Sequence, residues 1–179
     1  MYKNHVNIRN IMTTNVITVV DNDRLSDIAT KLSENNISGA PVVDSDGRVV
    51  GMVSDGDILR FLNTYDLKTG KVCTSENTKL SRIHIQKFGI FPPDPIPTHD
   101  IYKSFEKASM IQVKEVMTKT VITADVYDEV EKVSELMIKN GIKRVPILED
   151  GRLIGIVSRV DIVKYVAARK KAKEFVESR

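Results

Sequence analysis

A serine followed three residues later by an aspartate occurs twice, each time at the end of an apolar run. Ser54-x-x-Asp57 follows Val49-Val50-Gly51-Met52-Val53, and Ser158-x-x-Asp161 follows Leu153-Ile154-Gly155-Ile156-Val157. Such a pattern reads as a strand running directly into a helix capped by the serine. The junction has chemistry to offer. Free N–H groups and a hydroxyl at a helix start suit an anion, and a carboxylate can accept two hydrogen bonds from a vicinal diol. The same residues have a plainer use: the serines as N-caps, the aspartates as first-turn acids favoured by the helix dipole. One copy alone would favour the plain reading. Recurrence in matching surroundings favours a ligand.

That recurrence is part of a longer echo. Ile11-Met12-Thr13 with Val16-Ile17-Thr18 returns 105 positions later as Val116-Met117-Thr118 with Val121-Ile122-Thr123. Ile37-Ser38-Gly39-Ala40-Pro41-Val42 returns as Ile142-Lys143-Arg144-Val145-Pro146-Ile147, and the Ser-x-x-Asp blocks close the series. Three blocks in order and in register define an internal repeat.

Each copy reads strand–helix–strand–strand–helix. In the first, Val16 to Val20 is a β-branched run, Asp21-Asn22-Asp23 offers helix caps, and Leu25, Ile28, Ala29 and Leu32 recur at helical spacing up to a stop at Asn35-Asn36. Pro41 to Val43 and Val49 to Val53 flank Asp44-Ser45-Asp46-Gly47, a hairpin with Gly47 free to take positive φ. In the second, Val121 to Thr123 is the strand, Val126, Val130, Val133, Leu136 and Met137 mark the helix, and Gly141 stops it. The expected domains are a first repeat over 8–62, an insert over 63–112, a second repeat over 113–166 and a basic helix end or tail over 167–179. Within the insert, 64–79 reads as irregular, Leu80 to Ile85 as extended, and Thr98 as the cap of a helix carrying Ile101, Phe105 and Ala108. The stretch around Arg82, His84 and Lys87 either folds over a binding site or packs outside it.

Bulk properties exclude several classes. The 179 residues are 41% apolar and 28% charged, ordinary for a globular protein. No apolar run approaches the ~20 residues that span a bilayer, and residues 1–10 are too polar for a secretory signal. No membrane role is expected. A single Cys73 fits a reducing, cytoplasmic setting. The net charge of +3 is concentrated at the end, where Lys164 to Arg179 holds six Lys or Arg against two Glu. That tail is either the solvated face of a terminal helix or a weak nucleic-acid contact. Asp44-x-Asp46-Gly47 lacks the later ligands of a calcium loop, and His5, His84, His99 and Cys73 have no metal-ligand spacing. No Walker loop, nucleophile elbow or dinucleotide fingerprint is present. Neither a catalytic nor a metal-ligating residue is assigned.

The paired blocks resemble the cystathionine-β-synthase (CBS) domain, and two in tandem resemble a Bateman module. The resemblance covers about 8–62 and 113–166. It implies a mixed α/β (α+β) fold of two β-α-β-β-α repeats packed as a pseudo-two-fold pair, with a partly helical insert between them. It also implies two clefts for adenosine-containing ligands: AMP, ADP, ATP or S-adenosylmethionine. Asp57 and Asp161 would accept ribose hydroxyls, and Ser54 and Ser158 would bind phosphate or ribose. The backbone at Gly39-Ala40 and Arg144-Val145, just before each proline, would read the base edge. Thr18 and Thr123 would line the clefts, and Val53 and Val157 would face the adenine ring. Outside that frame Arg144 reads as a surface charge.

The function expected is a non-catalytic regulatory module. It would need no cofactor; the adenosine ligand would act as effector, and the output would pass to a separate effector protein. A homodimer is expected through the helices carrying Ile58, Leu59 and Leu62, and Ile162, Val163 and Val166. The alternatives are a nucleic-acid binder using the basic tail and an adenosine-nucleotide enzyme. The two repeats also differ: Asp55 follows the first serine and Arg159 the second. An arginine there grips phosphate and an aspartate repels it.

Overall fold

Both repeats form mixed α/β units, each with one three-stranded sheet. The computed structural model describes residues 6–66, 71–72 and 110–177. In chain order the first repeat contributes β1 (Val19–Val20), α1 (Leu25–Glu34), β2 (Gly39–Val43), β3 (Val49–Ser54) and α2 (Asp55–Thr64). A small antiparallel ladder of β4 (Tyr65–Asp66) and β5 (Lys71–Val72) and the short α3 (Val113–Val116) follow. The second repeat contributes β6 (Ala124–Asp125), α4 (Val130–Lys139), β7 (Arg144–Glu149), β8 (Arg152–Ser158) and α5 (Arg159–Glu177).

The sheets run in the orders β1-β2-β3 and β6-β7-β8. β6 lies parallel to β7, with Ala124 opposite Ile147, and β7–β8 is an antiparallel hairpin from Arg144↔Ser158 to Glu149↔Arg152. Turn chemistry sets the hairpins as expected. Gly47 has φ +76°, Asp150 and Gly151 have φ +51° and +77°, and the Asp44 carboxylate accepts from the Asp46 and Arg48 N–H groups. Asp44-x-Asp46-Gly47 is a turn. Both helix stops also hold, with Asn36 at φ +52° and Gly141 at φ +64°.

Each repeat has its own core. In the first, Val19, Ile28, Leu32, Ala40, Val42 and Val53 are buried together with Val113. In the second, Val126, Val130, Val133, Met137, Val145, Ile147 and Val157 are buried together with Ile8. The segment that opens each repeat in sequence therefore packs in the core formed by the rest of the other. By contact the chain divides into Val19–Val42 with Val50–Lys119, and Met1–Thr18 with Val43–Val49 and Thr120–Arg179.

This exchange explains how α1 and α4 begin. Their N-cap positions are Arg24 and Glu129, which make no side-chain cap. Instead the Leu25 N–H donates to the Ile111 carbonyl at 2.8 Å, and the Val130 N–H to the Val6 carbonyl at 3.0 Å. The caps expected from Asp21-Asn22-Asp23 are not used. Asp23 accepts from the Val20 N–H at 2.9 Å, closing a turn ahead of the helix. The first strands are also shorter and later than their β-branched runs, covering only Val19–Val20 and Ala124–Asp125.

The Ile-Met-Thr blocks gain a role here. Thr13 and Ile156 exchange backbone hydrogen bonds at 2.9 and 3.0 Å, and Met52 and Thr118 do so at 2.9 Å each way. Each block thus extends the edge of a hairpin. Its methionine lies over a strand glycine, Met12 on Gly155 and Met117 on Gly51, where a side chain would collide. Of the insert, β4 and β5 give residues 65–66 and 71–72 an ordered pairing where irregular chain was expected. The extended piece at 80–85 and the helix capped by Thr98 lie outside the described residues.

Candidate functional site

Both Ser-x-x-Asp junctions form, and they form alike. β3 ends at Ser54 and α2 starts at Asp55; β8 ends at Ser158 and α5 starts at Arg159. At the first, Asp57 Oδ2 accepts from the Ser54 N–H at 2.8 Å and from its hydroxyl at 2.6 Å. At the second, Asp161 Oδ2 accepts from the Ser158 N–H and hydroxyl at the same two distances. The Asp161 N–H returns to Ser158 Oγ at 3.4 Å. The second junction is thus a capping box with aspartate in place of the usual glutamate, and the first makes the aspartate's half of it. Each serine hydroxyl donates to its aspartate, which leaves its oxygen able to accept from a ligand hydroxyl.

The helix starts are tied down by backbone. The Asp55 N–H donates to the Ser38 carbonyl at 3.1 Å, and the Arg159 N–H to the Lys143 carbonyl at 3.0 Å. Arg159 adds a side-chain tie, Nε to the Ile142 carbonyl at 3.1 Å. Its terminal nitrogens carry no hydrogen bond among the described residues.

The two aspartates differ in their second oxygen. Asp57 Oδ1 is paired with the Arg60 guanidinium one turn along α2, and Asp57 is 6% exposed. Asp161 is half-buried, and its Oδ1 accepts no hydrogen bond among the described residues. Lys164 stands at the position matching Arg60; it is exposed and makes no ion pair among the described residues. Arg60 was not singled out by sequence, although its i,i+3 spacing from Asp57 on a helix is the signal of such a pair.

Other expected site residues fall as follows. Gly39 and Ala40 open β2, and Arg144 and Val145 open β7, on the strand beside each junction. Val145 is paired with Val157. Thr18 and Thr123 are half-buried just before β1 and β6. Thr18 groups by contact with the second repeat, whereas Ser54 and Asp57 group with the first. Val53 and Val157 need correction as adenine-facing residues. Both are 0% exposed and sit inside the two cores. Strand alternation puts Met52 and Ile156, both half-buried, on the same face as Ser54 and Ser158. Those positions are the available apolar neighbours.

The faces expected to pair are also modified. Ile58 and Ile162 are half-buried against the cores, while Leu59, Val163 and Val166 are 66%, 66% and 60% exposed. A groove of about 680 Å³ between α4 and α5 is lined by Val130, Ser134, Ile138, Ile162, Tyr165 and Val166. No three His, Cys, Asp or Glu side chains gather to hold a metal among the described residues. No described helix is long and apolar enough to cross a membrane.

Comparison with known proteins agrees with this architecture. The family model described as CBS domain matches residues 8–64 and 113–168. An uncharacterized protein of Methanocaldococcus jannaschii is 33% identical over 162 residues, covering 88% of this chain and 89% of that protein. The crystal structure of the CBS domain of a CBS domain containing membrane protein from Sphaerobacter thermophilus superposes with a TM-score of 0.64 at 32% identity, covering 89% and 87% of the two chains. The CBS domain pair of protein MJ0100, in complex with 5′-methylthioadenosine and S-adenosyl-L-methionine, superposes with a TM-score of 0.61 at 24% identity, covering 90% and 99%.

Proposed function

The chain belongs to the CBS domain family, and from that premise we propose that it is a non-catalytic regulatory module for adenosine-containing ligands. AMP, ADP, ATP and S-adenosylmethionine are the candidates. The observation that carries the reading is the duplicated junction, where a carboxylate held at a helix start by Ser54 or Ser158 faces the needs of a ribose diol. The ligands of the MJ0100 domain pair, both adenosine derivatives, support the class. Gly39-Ala40 and Arg144-Val145 would offer backbone to the base, Met52 and Ile156 apolar contact, and Thr18 and Thr123 further polar contact.

The chain would act as an effector-driven switch whose output passes to a separate partner protein. A ligand shifts such a balance only by its differential affinity for two forms. A second copy is the proposed occupant of the exposed apolar positions on α2, α4 and α5. Leu59 on α2, Ile138 on α4, and Val163 and Val166 on α5 are the exposed apolar side chains that support this reading. The single Cys73 suits a cytoplasmic setting.

The test is mass spectrometry of ligands retained by gently purified protein, followed by calorimetry with AMP, ATP and S-adenosylmethionine. Binding of AMP together with clear loss for its 2′-deoxy analogue supports the diol reading. Failure of every adenosine probe to bind refutes it.

A further inference from the structure

Resting on the adenosine reading above, we infer that Arg60 is a selectivity-determining residue that closes the first junction to a ribose diol, leaving Asp161 as the single diol site. A vicinal diol holds a carboxylate best with one hydroxyl on each oxygen. At both junctions one oxygen is already shared by a serine N–H and hydroxyl. The outcome therefore turns on the other oxygen. In the first repeat Arg60 occupies it, and the aspartate beneath is almost fully buried. A diol would have to displace a charge-assisted hydrogen bond and open the site. In the second repeat that oxygen is open among the described residues, and the aspartate is half-buried.

The difference comes from one substitution in the repeat, Arg60 against Lys164. Arginine carries a planar fork of five donors that reaches back one turn onto a carboxylate; lysine is a flexible, strongly hydrated point charge. The helix starts act in the same direction for a phosphorylated ligand. Asp55 is exposed at the first, and Arg159, held in place by Ile142, is at the second.

Calorimetry with AMP, ATP and S-adenosylmethionine tests this on the full chain. Wild type is expected to bind one equivalent per chain of whichever probe binds. Asp161→Ala weakens that site about tenfold or more, the loss of a charged hydrogen bond. Arg60→Lys, which copies the second repeat, and Arg60→Ala raise the stoichiometry to two. Arg60 is an exposed side chain, 72% accessible, and Arg60→Lys keeps a positive charge beside Asp57; a thermal melt of each variant establishes that it is folded before binding is read. Two equivalents in wild type, one equivalent unaffected by Asp161→Ala, or one equivalent persisting in both Arg60 variants would each overturn the inference. A single site in wild type that binds 2′-deoxy-AMP as tightly as AMP refutes the diol reading itself. Absence of binding by all three probes overturns both.

Discussion

Replacing Gly155 by Ala places a methyl group where Met12 already lies. A Cβ built on Gly155 would stand 2.5 Å from Met12 Sδ, 3.0 Å from Cγ and 3.3 Å from Cβ. Ordinary carbon contacts begin at about 3.5 Å, so all three atoms must retreat. The sulfur can swing aside because methionine is flexible. The Met12 Cβ cannot, since it moves only with its backbone, and the next residue is tied to Ile156 by the paired bonds at 2.9 and 3.0 Å. Overpacking of this kind costs about 1–3 kcal/mol, offset by the roughly 0.5–1 kcal/mol that Ala gains over Gly within a strand. A net loss near 1–2 kcal/mol is expected, or ~2–8 °C in melting temperature for a chain of this size. Urea and thermal melts measure it. The decisive control is Met12→Ala, which removes the obstruction. The double variant should be more stable than the two single losses predict, by about 0.5–3 kcal/mol. Gly51→Ala should be milder, because its contacts are with Sδ, Cγ and Cε, the mobile end of Met117. Additive behaviour of Gly155→Ala and Met12→Ala, or a Gly155→Ala protein as stable as wild type, would refute the packing argument.

Gly56→Ala tests the opposite case: its Cβ meets only Ser54 Oγ at 3.6 Å, so helix propensity should raise stability by up to about 1 kcal/mol in a urea melt, and a loss would contradict the open space. Asp57→Ala should destabilise more than Asp161→Ala, by an extra ~1–3 kcal/mol, because Asp57 is buried and Arg60 loses its acceptor in addition to the serine; equal melting points would disprove that. If a second copy covers this face as proposed, Ile138→Glu on α4, where Ile138 is 81% exposed, should lower the sedimentation coefficient at tens of micromolar without changing the melt of the monomer; a wild-type chain that sediments as a monomer, or an unchanged coefficient in the variant, would refute that interface.

The repeat was legible because it rests on local signals. Hairpin glycines, helix stops and most of the apolar period act within a few residues and reappear where expected; Val126, read as a helix position, falls in the turn before α4, and Ala29 on α1 is exposed. What was not legible was long-range. Nothing near Arg24 or Glu129 announces that their helices are capped by the carbonyls of Ile111 and Val6, so Asp21-Asn22-Asp23 drew attention as a local cap. The Ile-Met-Thr blocks were visible as repeats, yet their partners Gly155 and Gly51 lie some 140 and 66 positions away in the chain. The same limit applies to Val53 and Val157. Strand alternation says they face opposite to Ser54 and Ser158, but only the fold shows that this face is the core.

At the junctions, sequence offered two uses for each Ser-Asp pair, a helix cap or a ligand site, as though one excluded the other. The geometry divides them by atom. Capping uses Oδ2 of both aspartates in the same way, with the same 2.6 Å hydroxyl bond. Under the inference drawn above, recognition would depend on Oδ1, and there the copies part at Arg60 and Lys164. On that reading the repeated residues carry the fold, and the residue that breaks the repeat would set which copy can take a ligand. A Lys164→Arg variant turns this into a measurement. If the guanidinium alone closes a junction, adenosine binding at Asp161 should fall about tenfold or more with the melt unchanged or slightly raised. Unaltered affinity would show that burial of Asp57, rather than its ion pair, separates the two copies.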